Sequence, residues 1–430
     1  MARRDLVGRL APVREFRLLH GNCRVTVGFE LAFSIGNVLC NFYQSLYMRA
    51  RGLSAAQIGT LVTVGYVASM FFAMFAGGTV NRLGRRRSAL IFELTAWAGS
   101  SVIFFFADRM WLFVLAKVVN SLSQISMVAW NFLILEDATS RERMTAFNLL
   151  AIMHTAVGVL TPVGGFIVAR IGLVKAGRIF YLFAAVVFAA EMVARNHFLT
   201  ETAAGQKMLE QKREGPLIRL DLSGIGGILR DPLVGASVAV AVLYNMTLPL
   251  SSRLSLYLNI YFTDVLGIDD ASVSAVGGVL AAVMLASGLL LIPRLNRRIG
   301  SVRDICRYLS AGFLVMIPFQ LMMVFAPRHN LLYVCAGMAL YALGYSAVQT
   351  YIDLLIAEVT ESHTAERGSI YASMNLLIAA GSMAVASVSG PLYQHQPSLL
   401  FWVCAVLLTL CLAGLAAVSL ISRGRVSRAE

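Results

Sequence analysis

Twelve stretches of this chain are each long and apolar enough to cross a lipid bilayer, and this repetition limits its folds more than any other feature. A spanning helix needs about 20 apolar residues, because the hydrocarbon core holds no water to satisfy a bare backbone. The runs fall at 25–48, 55–79, 88–106, 110–135, 144–169, 178–198, 234–261, 270–292, 303–325, 330–357, 368–390 and 397–421. The longest polar break, 200–232, lies near the midpoint and leaves six spans on either side. The pattern predicts an all-α membrane protein with this order: an N-terminal segment 1–24, a six-helix half 25–199, a linker 200–232, a second six-helix half 233–421 and a tail 422–430.

Composition supports that reading. The chain is 58% hydrophobic and 14% charged, against about 45–50% and about 25% in soluble domains. A net charge of +13 in a soluble chain would suggest nucleic acid. Here the basic residues cluster between spans, so no nucleic-acid partner is expected. The six cysteines form no CxxC pair and most lie in apolar runs, which reads as packing and not metal binding or disulfides. The N-terminus does not read as a cleavable signal, because its basic region and the apolar run that follows are both long.

Orientation follows from where Lys and Arg concentrate. With the N-terminus inside, the cytoplasmic segments hold most of them. The external connections hold Arg49, Arg51, Arg109, Arg170, Lys175, Arg178 and Arg328. The positive-inside bias therefore predicts both termini on the cytoplasmic side.

The connection between spans 2 and 3 is compact: Gly77-Gly78-Thr79-Val80-Asn81-Arg82-Leu83-Gly84-Arg85-Arg86-Arg87. Glycines allow a sharp turn and close helix approach. A fainter copy, Pro293-Arg294-Leu295-Asn296-Arg297-Arg298-Ile299-Gly300, follows span 8, with Gly300 matching Gly84 and Arg298 matching Arg82. Glu142-Arg143 before span 5 is echoed by Glu366-Arg367 before span 11. With the six-and-six layout, these echoes favour a duplicated unit and two pseudo-symmetric halves.

This stretch resembles the loop 2–3 signature of the major facilitator superfamily. Gly77, Arg82, Gly84, Arg85 and Arg86 fit it, and Asn81 stands where an acid is usual. Gly52-Leu53-Ser54-Ala55-Ala56-Gln57-Ile58-Gly59 before span 2 also fits. The resemblance implies the major facilitator fold and a monomeric secondary transporter of a drug or small-solute exporter-like branch. It also implies a gating lock between the motif and acids at the end of span 4, where Glu136 and Asp137 stand. Two antiporter signatures depart from pattern: Lys117-Val118-Val119-Asn120-Ser121-Leu122-Ser123-Gln124 in span 4, and Thr161 before Pro162 in span 5.

The same resemblance implies that spans 1, 4, 7 and 10 line the central cavity. Helical arithmetic gives each of them a polar stripe. Glu30, Ser34, Asn37, Asn41 and Gln44 fall on one face of span 1, at about 100° per residue. Lys117, Asn120, Gln124 and Asn131 share a face of span 4, and Asn245, Pro249, Ser252 and Asn259 one of span 7, with Arg253 at its edge. Tyr345, Ser346, Gln349 and Asp353 share a face of span 10. Polar groups facing lipid are costly, so these stripes should face water or each other; the alternative is hydrogen-bond glue between helices.

The expected solute and proton pathway is therefore Glu30, Asn37, Asn41, Lys117, Asn120, Gln124, Arg253, Gln349 and Asp353. Glu30 and Asp353 are the candidate proton carriers, and Lys117 and Arg253 the candidate anchors for an anionic group. Glu93 and Glu191 lie on peripheral spans and are read as snorkelling or pairing helices. His154 is read as a structural histidine.

The expected partners are a small solute, protons and the bilayer, with no cofactor and no metal. No Walker sequence, catalytic triad or metal-ligand spacing is visible, so an enzyme is not expected. The expected function is proton-coupled export of a small organic solute across the inner (plasma) membrane. The alternatives are uptake or exchange of an organic anion, and a transporter-like sensor or assembly protein that moves nothing.

Overall fold

The computed structural model describes residues 11–210, 224–252, 256–361 and 367–429. Twelve helices long and apolar enough to span a bilayer fill most of that length: α1 Gly21–Ala50, α2 Ala55–Leu83, α3 Arg85–Phe106, α4 Met110–Leu135, α5 Ser140–Ile171 and α6 Leu173–Phe198, then α7 Pro232–Val265, α8 Val273–Asn296, α9 Val302–Val324, α10 Leu331–Val359, α11 Ser369–His395 and α12 Leu399–Arg423. No strand occurs among the described residues. The expected runs are largely helical over their described residues, and several helices extend past them; in span 7 the helix Pro232–Ser251 ends at Ser252, whose backbone is extended. α3 starts at Arg85 and α5 at Ser140 because polar turns join the helix ends.

Local chemistry fixes these ends. Thr139 opens α5 with a capping box: its hydroxyl accepts the Glu142 backbone N–H, and Glu142 accepts in return. Asp231 caps α7 just ahead of Pro232, a residue suited to the first turn of a helix. Ser301 caps α9 and Asn330 caps α10 in the same way. Two glycines each form an entire connection between spans: Gly84 (φ 85) turns α2 into α3, and Gly172 (φ 79) turns α5 into α6. A side chain would strain either turn.

Among the described residues, three helices contain π-helical turns: Leu94–Gly99 in α3, Tyr261–Val265 in α7 and Ser287–Leu291 in α8. Pro249 lies inside α7 and Pro318 inside α9.

The chain separates into two compact units. Unit 1 is Met1–Tyr43, Val64–Leu160 and Val174–Leu220; unit 2 is Gln44–Thr63, Thr161–Leu173 and Asp221–Glu430. One boundary falls inside the expected linker 200–232. The other four cut α1, α2, α5 and, after its first residue, α6, assigning 44–63 and 161–173 to the unit that holds the last six spans.

Aromatic side chains fill unit 1. Phe104 stacks on Tyr181 at 4.8 Å, and Phe33 meets Trp97 edge-on at 5.1 Å. In unit 2, Tyr261 packs on Phe401 at 4.6 Å and Phe319 on Tyr341 at 4.9 Å. Gly312 of α9 and Gly344 of α10 let two backbones touch: a Cβ on Gly344 would sit 2.6 Å from the Gly312 carbonyl oxygen. Close approach through small residues is how helices bind each other where lipid supplies no hydrophobic drive. Phe71, Phe106, Trp111, Phe166 and Phe325 are all exposed, a surface suited to acyl chains and not to water.

Candidate functional site

The α2–α3 connection is a built clasp inside unit 1. Arg85 is 1% exposed. Its guanidinium donates to Glu136 at the end of α4 at 2.8 and 3.0 Å and to the Asn81 side-chain oxygen at 3.1 Å. It also lies 5.0 Å from the centroid of the Phe132 ring. Asn81 thus accepts from Arg85 without adding charge, and Glu136 carries the pairing. Arg86 donates to the backbone and side-chain oxygens of Asn196 at the end of α6.

The segment after α6 closes the clasp. Glu201 accepts the backbone N–H groups of Arg85 and Arg86 at 2.9 and 3.2 Å, satisfying free donors at the start of α3. The Thr202 hydroxyl donates to Glu136, and the Ala203 N–H to Asp137. Arg82 and Gly77 are exposed. Sequence reasoning missed Glu201, Thr202 and Asn196, because a polar linker carries no periodicity to mark which residues turn back onto the bundle.

Unit 1 also seals charge inside its spans. Glu30 of α1, Glu93 of α3, and Glu191 and Arg195 of α6 are each 4% exposed. Arg195 ion-pairs with Glu93, bridging α3 to α6. Glu93 and Glu191 therefore sit inside the protein and do not snorkel. Glu30 Oε1 lies 2.7 Å from His154 Nε2 of α5, so His154 is not a lone histidine. The i,i+4 spacing of Glu191 and Arg195 was a usable signal for that pair. Nothing in the sequence joined Glu30 to a residue 124 positions away.

The remaining expected residues are dispersed. Asn41 donates to Asn37 on α1 at 2.7 Å. Lys117 is half-buried, with Gly65 of α2 beside its side chain. Asn120 donates to the Ala96 carbonyl of α3 at 3.0 Å, joining two helices, and Gln124 is half-buried. In unit 2, Gln349 and Asp353 are exposed on α10. Arg253 lies outside the described residues.

A second set of contacts lies within unit 2, at the ends of α1, α2 and α5. Arg49 pairs with Asp264 of α7 at 2.9 Å. The Tyr257 hydroxyl donates to the Ala55 carbonyl at 3.4 Å. Gly165 of α5 lies against Ser274 and Ala271 with no room for a Cβ, and a Cβ on Gly278 of α8 would come 2.7 Å from Pro162.

Twelve apolar spans, with the Arg195–Glu93 ion pair buried between two of them, define a multi-pass membrane protein. The chain belongs to the Major Facilitator Superfamily, whose profile matches residues 26–383. No curated protein matches it significantly in sequence. Among solved structures, the nucleoside transporter NupG is similar at 12% identity, with a TM-score of 0.69, 92% of this chain and 98% of that one covered. A D-xylose-proton symporter gives 14% identity, a TM-score of 0.68 and coverage of 91% and 95%. The human organic anion transporter MFSD10 gives 15%, 0.60, 91% and 99%. At these identities the likeness is one of fold.

Proposed function

We propose that this chain is a non-enzymatic secondary transporter that exports a small organic solute by alternating access, driven by protons. It would act in the plasma (inner) membrane with both termini cytoplasmic, so that the Arg85–Glu136 clasp faces the cytoplasm. The observation that carries the coupling is Glu30: a carboxylate inside a spanning helix, 4% exposed, with a histidine nitrogen at 2.7 Å. Such a group changes charge by taking up one proton, and a buried charge change biases one packing of helices over another. The clasp supplies a two-state element for that bias to act on.

A second reading, uptake or exchange of an organic anion, rests on Lys117, a half-buried cation inside α4. Flux in proteoliposomes under an imposed pH gradient separates the two, using a panel of cationic, neutral and anionic solutes. Proton-coupled export drives a cationic or neutral solute toward the acidic side. Movement of an anionic solute with the protons selects the second reading. Neither solute movement nor solute-dependent proton movement for any class overturns both.

A further inference from the structure

Unit 1 buries more negative charge than its one intramembrane arginine in this cluster can balance. Arg195 commits Nη2 to Glu93, and Nη1 lies 3.4 Å from Glu191 Oε1. That second contact lacks hydrogen-bond geometry. Among the described residues, neither oxygen of Glu191 accepts a hydrogen bond, and Arg195 Nε donates none. α1 packs on α6 through Phe33 and Phe188, whose ring centroids lie 5.0 Å apart, and Glu30 and Glu191 each stand about one turn from those rings. His154, with 49% of its side chain exposed, is the member that reaches out of the cluster.

The charged groups come from α1 (Glu30), α3 (Glu93), α5 (His154) and α6 (Glu191, Arg195). On α4, Glu136 is held by Arg85, and Lys117 lies beside Gly65 of α2. Three carboxylates against one guanidinium leave two negative charges, or one when His154 is an imidazolium. An ionised carboxylate without hydrogen bonds is among the costliest groups to bury, and a proton removes that cost. Glu93 has the guanidinium's hydrogen bond and Glu30 has His154, which leaves Glu191 as the carboxyl that accepts no hydrogen bond and has only the Nη1 cation at 3.4 Å.

We propose that Glu191 is a resident proton site and that the Glu30–His154 pair is its exchange gate. A proton arriving on His154 Nε2 moves to Glu30 Oε1: the N–H bond breaks, an O–H bond forms, and the imidazole becomes neutral. The Glu30 charge that favours a proton on Glu191 is then gone, so Glu191 ionises more readily. The two carboxyls titrate as a coupled pair, with protonation of one opposing protonation of the other. This assignment deepens the proton-coupled reading above and depends on it for its role in transport, though not for the existence of the site.

The test is an infrared pH titration of the full-length protein in detergent, following the carbonyl stretch of protonated carboxyls. Wild type should show a protonated carboxyl at neutral pH. Glu191→Gln should remove that band, Asp353→Asn should keep it, and Glu30→Gln should shift the pH at which it disappears. A band unchanged in Glu191→Gln, or lost in Asp353→Asn, overturns the assignment. If Glu191→Gln does not fold, Glu191→Asp must move the band, and an unmoved band overturns it equally. Proton-driven flux is measured separately: its absence alongside the expected infrared result removes the transport reading and leaves the proton site standing.

Discussion

Arg49 and Asp264, 215 positions apart in the chain, meet at 2.9 Å and tie the end of α1 to α7. The pair is partly solvent-exposed, at 45% and 33% of the two side chains. Such pairs contribute about 0.2–1 kcal/mol. Arg49→Ala should therefore shift the balance of conformations by no more than about fivefold. The labelling rate of a cysteine placed at Ser54 reports it. The swap Arg49→Asp with Asp264→Arg should restore the wild-type rate, and failure to restore it would show that the ion pair does not govern this end.

Within the α2–α3 clasp, Arg85 and Arg82 are not equivalent. Arg85 is buried on Glu136, whereas Arg82 is exposed. Arg85→Ala leaves Glu136 facing its pocket without a guanidinium, at a cost of about 3 kcal/mol or more. It should lower the melting temperature in detergent and reduce flux well beyond the effect of Arg82→Ala. Equal effects would mean that the arginines act only through their charge on membrane topology.

Asn81 accepts from Arg85 as a neutral amide. The donor is already cationic, so Asn81→Asp turns the contact into an ion pair, placing a second carboxylate on the guanidinium beside Glu136. Thermal stability should rise by a few degrees, and turnover should fall if release of the clasp limits the cycle. A drop in stability would show that the site is already saturated with negative charge from Glu136 and Glu201.

Gly165 sits against Ser274 and Ala271 with no space for a methyl group. Gly165→Ala should open this contact within unit 2, and adding Ser274→Gly should give partial recovery. Crosslinking between cysteines at Val163 and Val273 reads the separation. An unchanged crosslinking yield in the single variant would mean that the helices can slide past the added methyl.

The α7–α8 turn carries a pH response of opposed signs. The Ser272 side chain, with backbone N–H groups of Ser272 and Ala271, holds Asp269 below the usual carboxylate range. Burial, reinforced by Asp269 and Asp264, pushes Asp270 up. Asp269 thus adds stability above its unfolded pKa that is lost as pH falls. Asp270 favours the fold below its unfolded pKa and weakens it as pH rises through the folded value. In melting curves across the acidic range, Asp269→Asn should lower neutral stability and Asp270→Asn should raise it. A reversed order would sink this assignment.

The spans were legible because hydropathy is a local property, read residue by residue along the chain. The capping box at Thr139 and Glu142 has a local spacing of the same kind. The partners of Glu30 and Arg85 were not legible to the same degree. Glu30 meets His154 only because α1 and α5 lie side by side, and helix adjacency is set by packing. The loop 2–3 signature pointed to Glu136 through family resemblance, while Glu201 came from a segment with no pattern of its own. Asn120 shows the opposite limit: a polar residue on the expected face whose amide is engaged by a neighbouring helix.

The π-turn at Leu94–Gly99 begins directly after Glu93. Such a turn holds one residue more than the helix around it, so everything beyond is rotated by about 100°. The Ala96 carbonyl, inside the turn, accepts from both Ser100 and Asn120. Asn120 thereby holds a kink of register in place. A homologue lacking this inserted residue would align correctly up to Glu93 and be off by one from there to Phe106. Roles copied across such an alignment would land on the wrong side of α3, however high the identity on either flank.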